Sequence, residues 1–285
     1  MMMSERSTRM AVIAALTFGC IHCGGRSSLE SDAAARDAAD AAAWTPGSLA
    51  GLVLWLDGTR GVQTSGEAVT SWDDRSGLKN DAAPSATGGS DPVFAASAIG
   101  AAPAVRFDGT SHLVIQDDAS LQFGTGDFLI AMMVRHATPI DVGWGYGLFY
   151  IKYEIALPYT GPALLANTEE RTTQVAAQIT YHDAIIATAQ GGINDGQPRV
   201  LVMRRSGSPG FASLEIRLNG ATSAISTGSA YAADVSAPGR PVFLGGTPDM
   251  QNIVGDIAEI VAVKGATSDA EVSALEGYLE TKYGL

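Results

Sequence analysis

The chain has 285 residues, 46% hydrophobic and 17% charged, so it can bury a large core and lacks the composition of a disordered chain. Its 30 acidic and 18 basic side chains give a net charge of −12, which excludes a general basic surface for nucleic acid. Both cysteines, Cys20 and Cys23, sit near the start, so the rest has no disulfide, thiolate metal site or cysteine nucleophile.

Taken in chain order, Arg6 and Arg9 precede "MAVIAALTFGC", an uncharged run too short to cross a bilayer as a helix. It ends in Thr17-Phe18-Gly19-Cys20, which resembles the lipobox of bacterial lipoproteins, where a small residue precedes the lipidated cysteine. That pattern has leucine three residues before the cysteine; here Thr17 stands there and Leu16 is displaced by one. Lipidation of Cys20 is favoured over an ordinary secretory signal or a retained leader, because both cysteines fall at the end of the apolar run. The expected plan is a signal over residues 1–19, an Ala/Asp-rich tether over 20–46 and a folded domain over 47–285. Membrane contact would be through the lipid alone. The location would be the cell envelope, at the outer membrane or cell surface, with secretion as the alternative.

From Leu52 onward, short apolar runs alternate with Gly, Pro, Asn and Asp. "LVLWLD" opens the series, with Trp55 read as structural, as is Trp72 further on. "AVRFDG" and "HLVIQ" flank Gly109 and Thr110, and "DFLIAMMVRH" puts Phe128, Ile130, Met132 and Val134 on one face. In "LEIRL", Leu214, Ile216 and Leu218 alternate with Glu215 and Arg217, the period of a half-buried antiparallel strand. Asn219-Gly220 then signals a type I′ hairpin. "PVFLGG" and "DIAEIVAV" complete the strands. A single strong helix signal follows: Ser268 and Glu271 at capping-box spacing, Val272, Leu275 and Leu279 at helical spacing, and Gly284 as the C-terminal cap. A parallel doubly wound sheet needs a helix at most crossovers, so these runs predict an all-β antiparallel sandwich. The helix is expected at its edge or rim.

"LVLWLDG", "SWDDRSGLKNDA", "AVRFDGTSHLVI", "LEIRLNG", "VFLGG" and the closing "GDIAEIVAVKGATSDAEVSALEGYLETKYG" resemble, in that order, the laminin-G-like domains of bacterial surface proteins. These belong to the concanavalin A-like lectin/glucanase superfamily, and the likeness runs from about Gly47 to Leu285. It implies a two-sheet antiparallel jelly roll. Relatives often hold calcium with loop oxygens, and Asp73, Asp74, Asn80 and Asp81 are hard ligands in one such loop. Asx-rich loops also simply turn the chain. Where many relatives read G-x-I-D-D, this chain reads Gly255-Asp256-Ile257-Ala258-Glu259, which weakens the transfer of a metal site.

Glucanases of that superfamily carry alternating carboxylates, E-x-D-x-E, on one strand. Here the one E-x-D is Glu30-Ser31-Asp32, in the tether. Glu215 stands alone, and the odd spacing of Asp256 and Glu259 places them on opposite strand faces. His112, His136 and His182 are isolated, and "GWGYG" (143–147) leads into a strand-like run rather than the helix a phosphate loop needs. The aromatic segment "DVGWGYGLFYIKY" is the best ligand candidate. Trp144 and Tyr146 could stack on sugar rings, while Asp141, Lys152 or Glu154 could bond hydroxyls. Core packing is the plainer reading for most of these rings, with Tyr146, Leu148 and Tyr150 on one face and Phe149 and Ile151 on the other. The functional expectation is a surface-anchored, non-catalytic module binding carbohydrate or extracellular matrix. The alternatives are a glycan hydrolase or lyase, or an adhesive envelope protein.

Overall fold

The run Val254–Lys264, rich in branched side chains, forms strand β17, through which most of the architecture is joined. The computed structural model describes residues 44–86, 89–136, 147–154, 156–157, 159–168, 171–180, 184–188, 193–248 and 252–285. Along one side β17 pairs with β8 (Phe128–His136); along the other it pairs with β6 (Ala102–Asp108) and then β1 (Leu52–Asp57). From β8 this first sheet continues through β13 (Pro198–Ser208) and β14 (Phe211–Leu218) to β15 (Ala221–Gly228). The second sheet runs β4 (Ala82–Pro84), β7 (Leu113–Ile115), β16 (Val242–Leu244), β9 (Gly147–Ile151), β10 (Ala163–Thr168), β11 (Arg171–Gln178) and β12 (Ala184–Thr188). Strands β2 (Val62–Ser65), β3 (Ala68–Trp72) and β5 (Val93–Ile99) tie the two together, since β5 pairs with β6 and β3 pairs with β2, β4 and β5. All these pairings are antiparallel.

The core lies between the sheets. Phe128, Ile130, Met132 and Val134 share it, as their alternation predicts, with Leu201, Met203, Leu214 and Ile216 from neighbouring strands. Trp72, Leu113, Leu164, Val175, Val242 and Leu244 belong to the same cluster. The all-β sandwich is therefore the observed fold. The expected turn is present too, with Asn219 and Gly220 at φ 46° and 78°.

Helix α1 (Asp269–Tyr283) begins at the expected capping box: Glu271 N donates to Ser268 Oγ (3.2 Å) and Ser268 N donates to Glu271 Oε2 (2.8 Å). It ends at Gly284 in the left-handed region. Its position corrects the edge-or-rim expectation. Val272, Leu275, Leu279 and Tyr283 lie on the outer face of the first sheet, against Trp55, Leu129, Ala131, Met133, Val200, Val202, Val261 and Val263. The cause is in the strands: β1, β8, β13 and β17 are apolar at both parities, so both their faces need cover.

Two β-bulges correct readings based on strict alternation. In β17 the register shifts between Ile257 and Glu259, so Asp57 stands opposite Glu259. Asp256 and Glu259 then face the same outer side, the first bonded to Arg135 of β8 and the second to Trp55 of β1. In β9, Leu164 and Leu165 pair with Tyr150 and Leu148, leaving Phe149 as the extra residue. Phe149 and Tyr150 consequently both join the core, and Ile151 points out.

Candidate functional site

Asp141, Trp144 and Tyr146 lie outside the described residues, as does Cys20. The strands on either side of that stretch are placed. β8 ends at His136, whose buried ring meets Phe149 edge-on at 5.4 Å. Burial and the charge of Arg199 push His136 down to about 4, so the ring is neutral at pH 7. Lys152 is not free to bond a ligand hydroxyl. It is fully buried, and its Nζ donates to Asp117 Oδ1 (2.5 Å), Arg240 O (2.7 Å) and Ala237 O (3.0 Å). Glu154 lies 3.9 Å from Arg240, both half-exposed.

The oxygens proposed for calcium have other uses. The Asp74 carboxylate accepts from Trp55 N and Ser76 N (2.9 Å each), Asn80 N (3.0 Å) and Ser76 Oγ (2.6 Å). Asp81 Oδ1 accepts from Asp74 N (2.7 Å), and Asn80 Nδ2 donates to Val53 O and Ser120 Oγ. Asp73 accepts from Ser71 Oγ and Gln63 Nε2. Among the described residues no three His, Cys, Asp or Glu side chains group as metal ligands. These bonds knit the loop and fasten it to β1, the turn-forming use that Asx-rich loops commonly have.

The buried carboxylates are likewise committed. Glu259 accepts from Trp55 Nε1 (2.7 Å), Lys282 Nζ (2.6 Å), Tyr283 OH (2.9 Å) and Tyr278 OH (3.1 Å). Asp57 binds Lys282 and Arg75 (2.7 Å each), and Arg75 also lies 4.0 Å over the Trp55 ring. Glu215 holds Arg204 and Arg217, and Glu276 holds Arg217. These contacts pin α1 to the sheet. Burial raises Glu259 despite Lys282, whereas hydrogen bonds from Lys282 and Thr59 outweigh burial at Asp57 and lower it.

The outer face of the second sheet has a different character. A row in register crosses its strands: Ala83, Val114, Phe243, Ile151, Ala163 and Gln178. Ile151, Ala163, Leu165 and Ala176 form a buried floor, with Phe243 and Tyr153 half-buried upon it. Tyr159, also half-buried, meets Tyr153 edge-on at 6.1 Å. His112 lies beside Phe243 at 5.8 Å, with both ring nitrogens buried and without a hydrogen-bond partner among the described residues. Burial lowers its pKa. Sequence reasoning missed Phe243, Tyr159 and His112. The available signal was the outward parity of Phe243 within "PVFLGG".

No family model and no curated protein matches the chain. Solved structures do resemble it. The binding domain of Paraclostridial mosquitocidal protein 1 has a TM-score of 0.59 at 14% identity, over 82% of this chain and 53% of that one. The present chain thus spans about half the length of that structure. Domain 4 of AbnA, an extracellular GH43 arabinanase from Geobacillus stearothermophilus solved with arabinotriose, has a TM-score of 0.55 at 14% identity, over 79% and 98%. Trypanosoma rangeli sialidase has a TM-score of 0.55 at 14% identity, over 82% and 33%. At such identities the likeness is one of fold, a β-sandwich.

Proposed function

We propose that this chain is a non-catalytic carbohydrate-binding module of laminin-G-like type, with the outer face of the second sheet as its platform. The observation that carries the reading is the half-buried set of Phe243, Tyr153 and Tyr159 on that outer face, while α1 packs on the outer face of the first sheet. Aromatic rings on a firm apolar floor suit the apolar faces of sugar rings. The likeness to domain 4 of AbnA, solved with arabinotriose, supports a glycan ligand. The buried carboxylates at 57, 215, 256, 259 and 276 are each paired to a cation, which favours binding over hydrolysis. Cys20 would tether the module to an envelope membrane, a step that mass spectrometry of the mature N-terminus tests.

Titration with arabino-oligosaccharides, followed by a wider glycan panel, is the deciding experiment. Phe243→Ala and Tyr159→Ala should each weaken binding about tenfold, a change of roughly 1.4 kcal/mol. Trp144→Ala in the same series tests whether residues 137–146 contribute. Unchanged affinity in both sheet-face variants would remove the platform, and release of shorter oligosaccharides would overturn the non-catalytic reading.

A further inference from the structure

On the first sheet α1 reaches as far as Ala258 and Glu259, through Tyr283 and Lys282. Next along the same face, one row in register crosses five strands: Val93, Arg106, Asp256, Arg135 and Pro198. At its centre Asp256 is 0% exposed, flanked by arginine side chains that are 47% and 34% exposed. Arg106 Nε donates to Asp256 Oδ1 (2.8 Å) and its Nη2 to Oδ2 (3.5 Å). Arg135 Nε donates to Oδ2 (2.8 Å), and its Nη2 pairs with the same oxygen.

Two cations therefore share one anion. A guanidinium has five N–H donors. Each arginine turns its Nε/Nη2 edge to Asp256, and the remaining N–H groups, including both on Nη1, have no partner among the described residues. The next carboxylate on that face of β6, Asp108, is engaged in its own turn, accepting from Thr110 N (2.9 Å), Ser111 N (3.0 Å) and Ser90 Oγ (2.5 Å). We infer that Arg106 and Arg135 form an oxyanion clamp, a site for the carboxylate or sulfate group of an acidic ligand, separate from the aromatic platform. The shared carboxylate fixes both forks in place, so their free donors need little ordering when an oxyanion arrives. Within the trio itself two guanidinium groups face one carboxylate, and the incoming anion would supply the second negative partner. A chain of net charge −12 repels anions at long range, so recognition here must come from these short, directed donors.

The test is a titration of the purified protein with sodium sulfate and, separately, sodium glucuronate, with sodium chloride holding ionic strength constant. The Nε–H resonances of Arg106 and Arg135 report occupancy. At least one of the two anions should shift both resonances saturably, and which one does so identifies the oxyanion. Arg106→Gln and Arg135→Gln should each weaken binding by roughly tenfold or more, as expected when half of a charged fork is removed. Should either fail to fold, Arg106→Lys and Arg135→Lys keep a cation beside Asp256 while removing the fork, and they should also lose affinity. No saturable shift with either anion, or undiminished affinity in the variants that fold, overturns the inference. Neither result bears on arabino-oligosaccharide binding at Phe243, so the two sites stand or fall separately.

Discussion

Replacing Leu279 by alanine tests the docking of α1 most directly. Leu279 is 0% exposed and lies in the cluster that α1 forms with β1, β8, β13 and β17. Removing its side chain loses the transfer free energy of the deleted atoms and leaves a cavity, for a cost of about 2–5 kcal/mol. A domain of this size melts about 2–4 °C lower per kcal/mol, so Leu279→Ala should lower the melting temperature by roughly 4–20 °C. Ser273, on the exposed side of the helix, provides the control, and Ser273→Ala should stay within about 0.5 kcal/mol of the parent. Calorimetry of the three proteins at pH 7 gives the comparison. Coincident melting of Leu279→Ala and Ser273→Ala would mean that α1 unfolds apart from the sandwich, and the packing argument would fall.

The polar side of the same contact gives a second expectation: Lys282→Met leaves Asp57 and Glu259 facing each other nearly without exposure, which should cost about 3–5 kcal/mol. Adding Glu259→Gln should recover part of that loss, and strictly additive denaturant midpoints would refute the coupling. Burial, with Glu259's charge, pushes Tyr278 up to about 12 and raises Tyr283 further; at Lys282 the charge of Glu259 and bonds to Asp57 outweigh burial and raise it. Because these folded values exceed the ordinary 10.0 and 10.5, the stability they carry is complete below pH 10 and is lost as pH rises beyond it. Melting temperature should fall above pH 10, less steeply in Tyr283→Phe; a level profile to pH 11 would contradict the sign. Two glycine substitutions should act oppositely. Gly245→Ala, at φ 80° with a Cβ only 2.3 Å from the Phe107 ring, should destabilise by about 1–3 kcal/mol. Gly277→Ala, in open space on α1, should stabilise by roughly 0.5–1 kcal/mol. Chemical denaturation of both variants checks the pair.

Local chemistry made much of this fold legible. The capping box at Ser268, the Asn219-Gly220 turn and the alternation of Leu214, Glu215 and Ile216 each depend on neighbours within a few residues, and each is present. Period-two reasoning failed where a bulge inserts one residue, at Ala258 and at Phe149, because a bulge exists only in the pairing of two strands and strict alternation along one of them does not register it. The place of α1 was misjudged because an amphipathic helix shows which of its sides is apolar, not which surface receives it. Lys152 was misread because its partners, Asp117, Ala237 and Arg240, lie 35 to 88 residues away. The aromatic set has the same obstacle. Tyr153 sits in an evident aromatic run, but Phe243 reaches it only through the pairing of β16 with β9.

The position of β17 sets the order in which the sandwich can be completed. It is the neighbour shared by β1, β6 and β8, and Trp55 meets Glu259 across 204 residues of chain. Every other strand leaves the ribosome before the one that joins these three. Until then β1 lacks its β17 neighbour and the outer apolar surface lacks α1. Closing so long a loop delays the rewarding contacts, which makes for slow folding and a long interval of exposed apolar edges. A chain interrupted before Val254 should therefore be held unfolded and prone to aggregate, rather than forming a smaller sandwich.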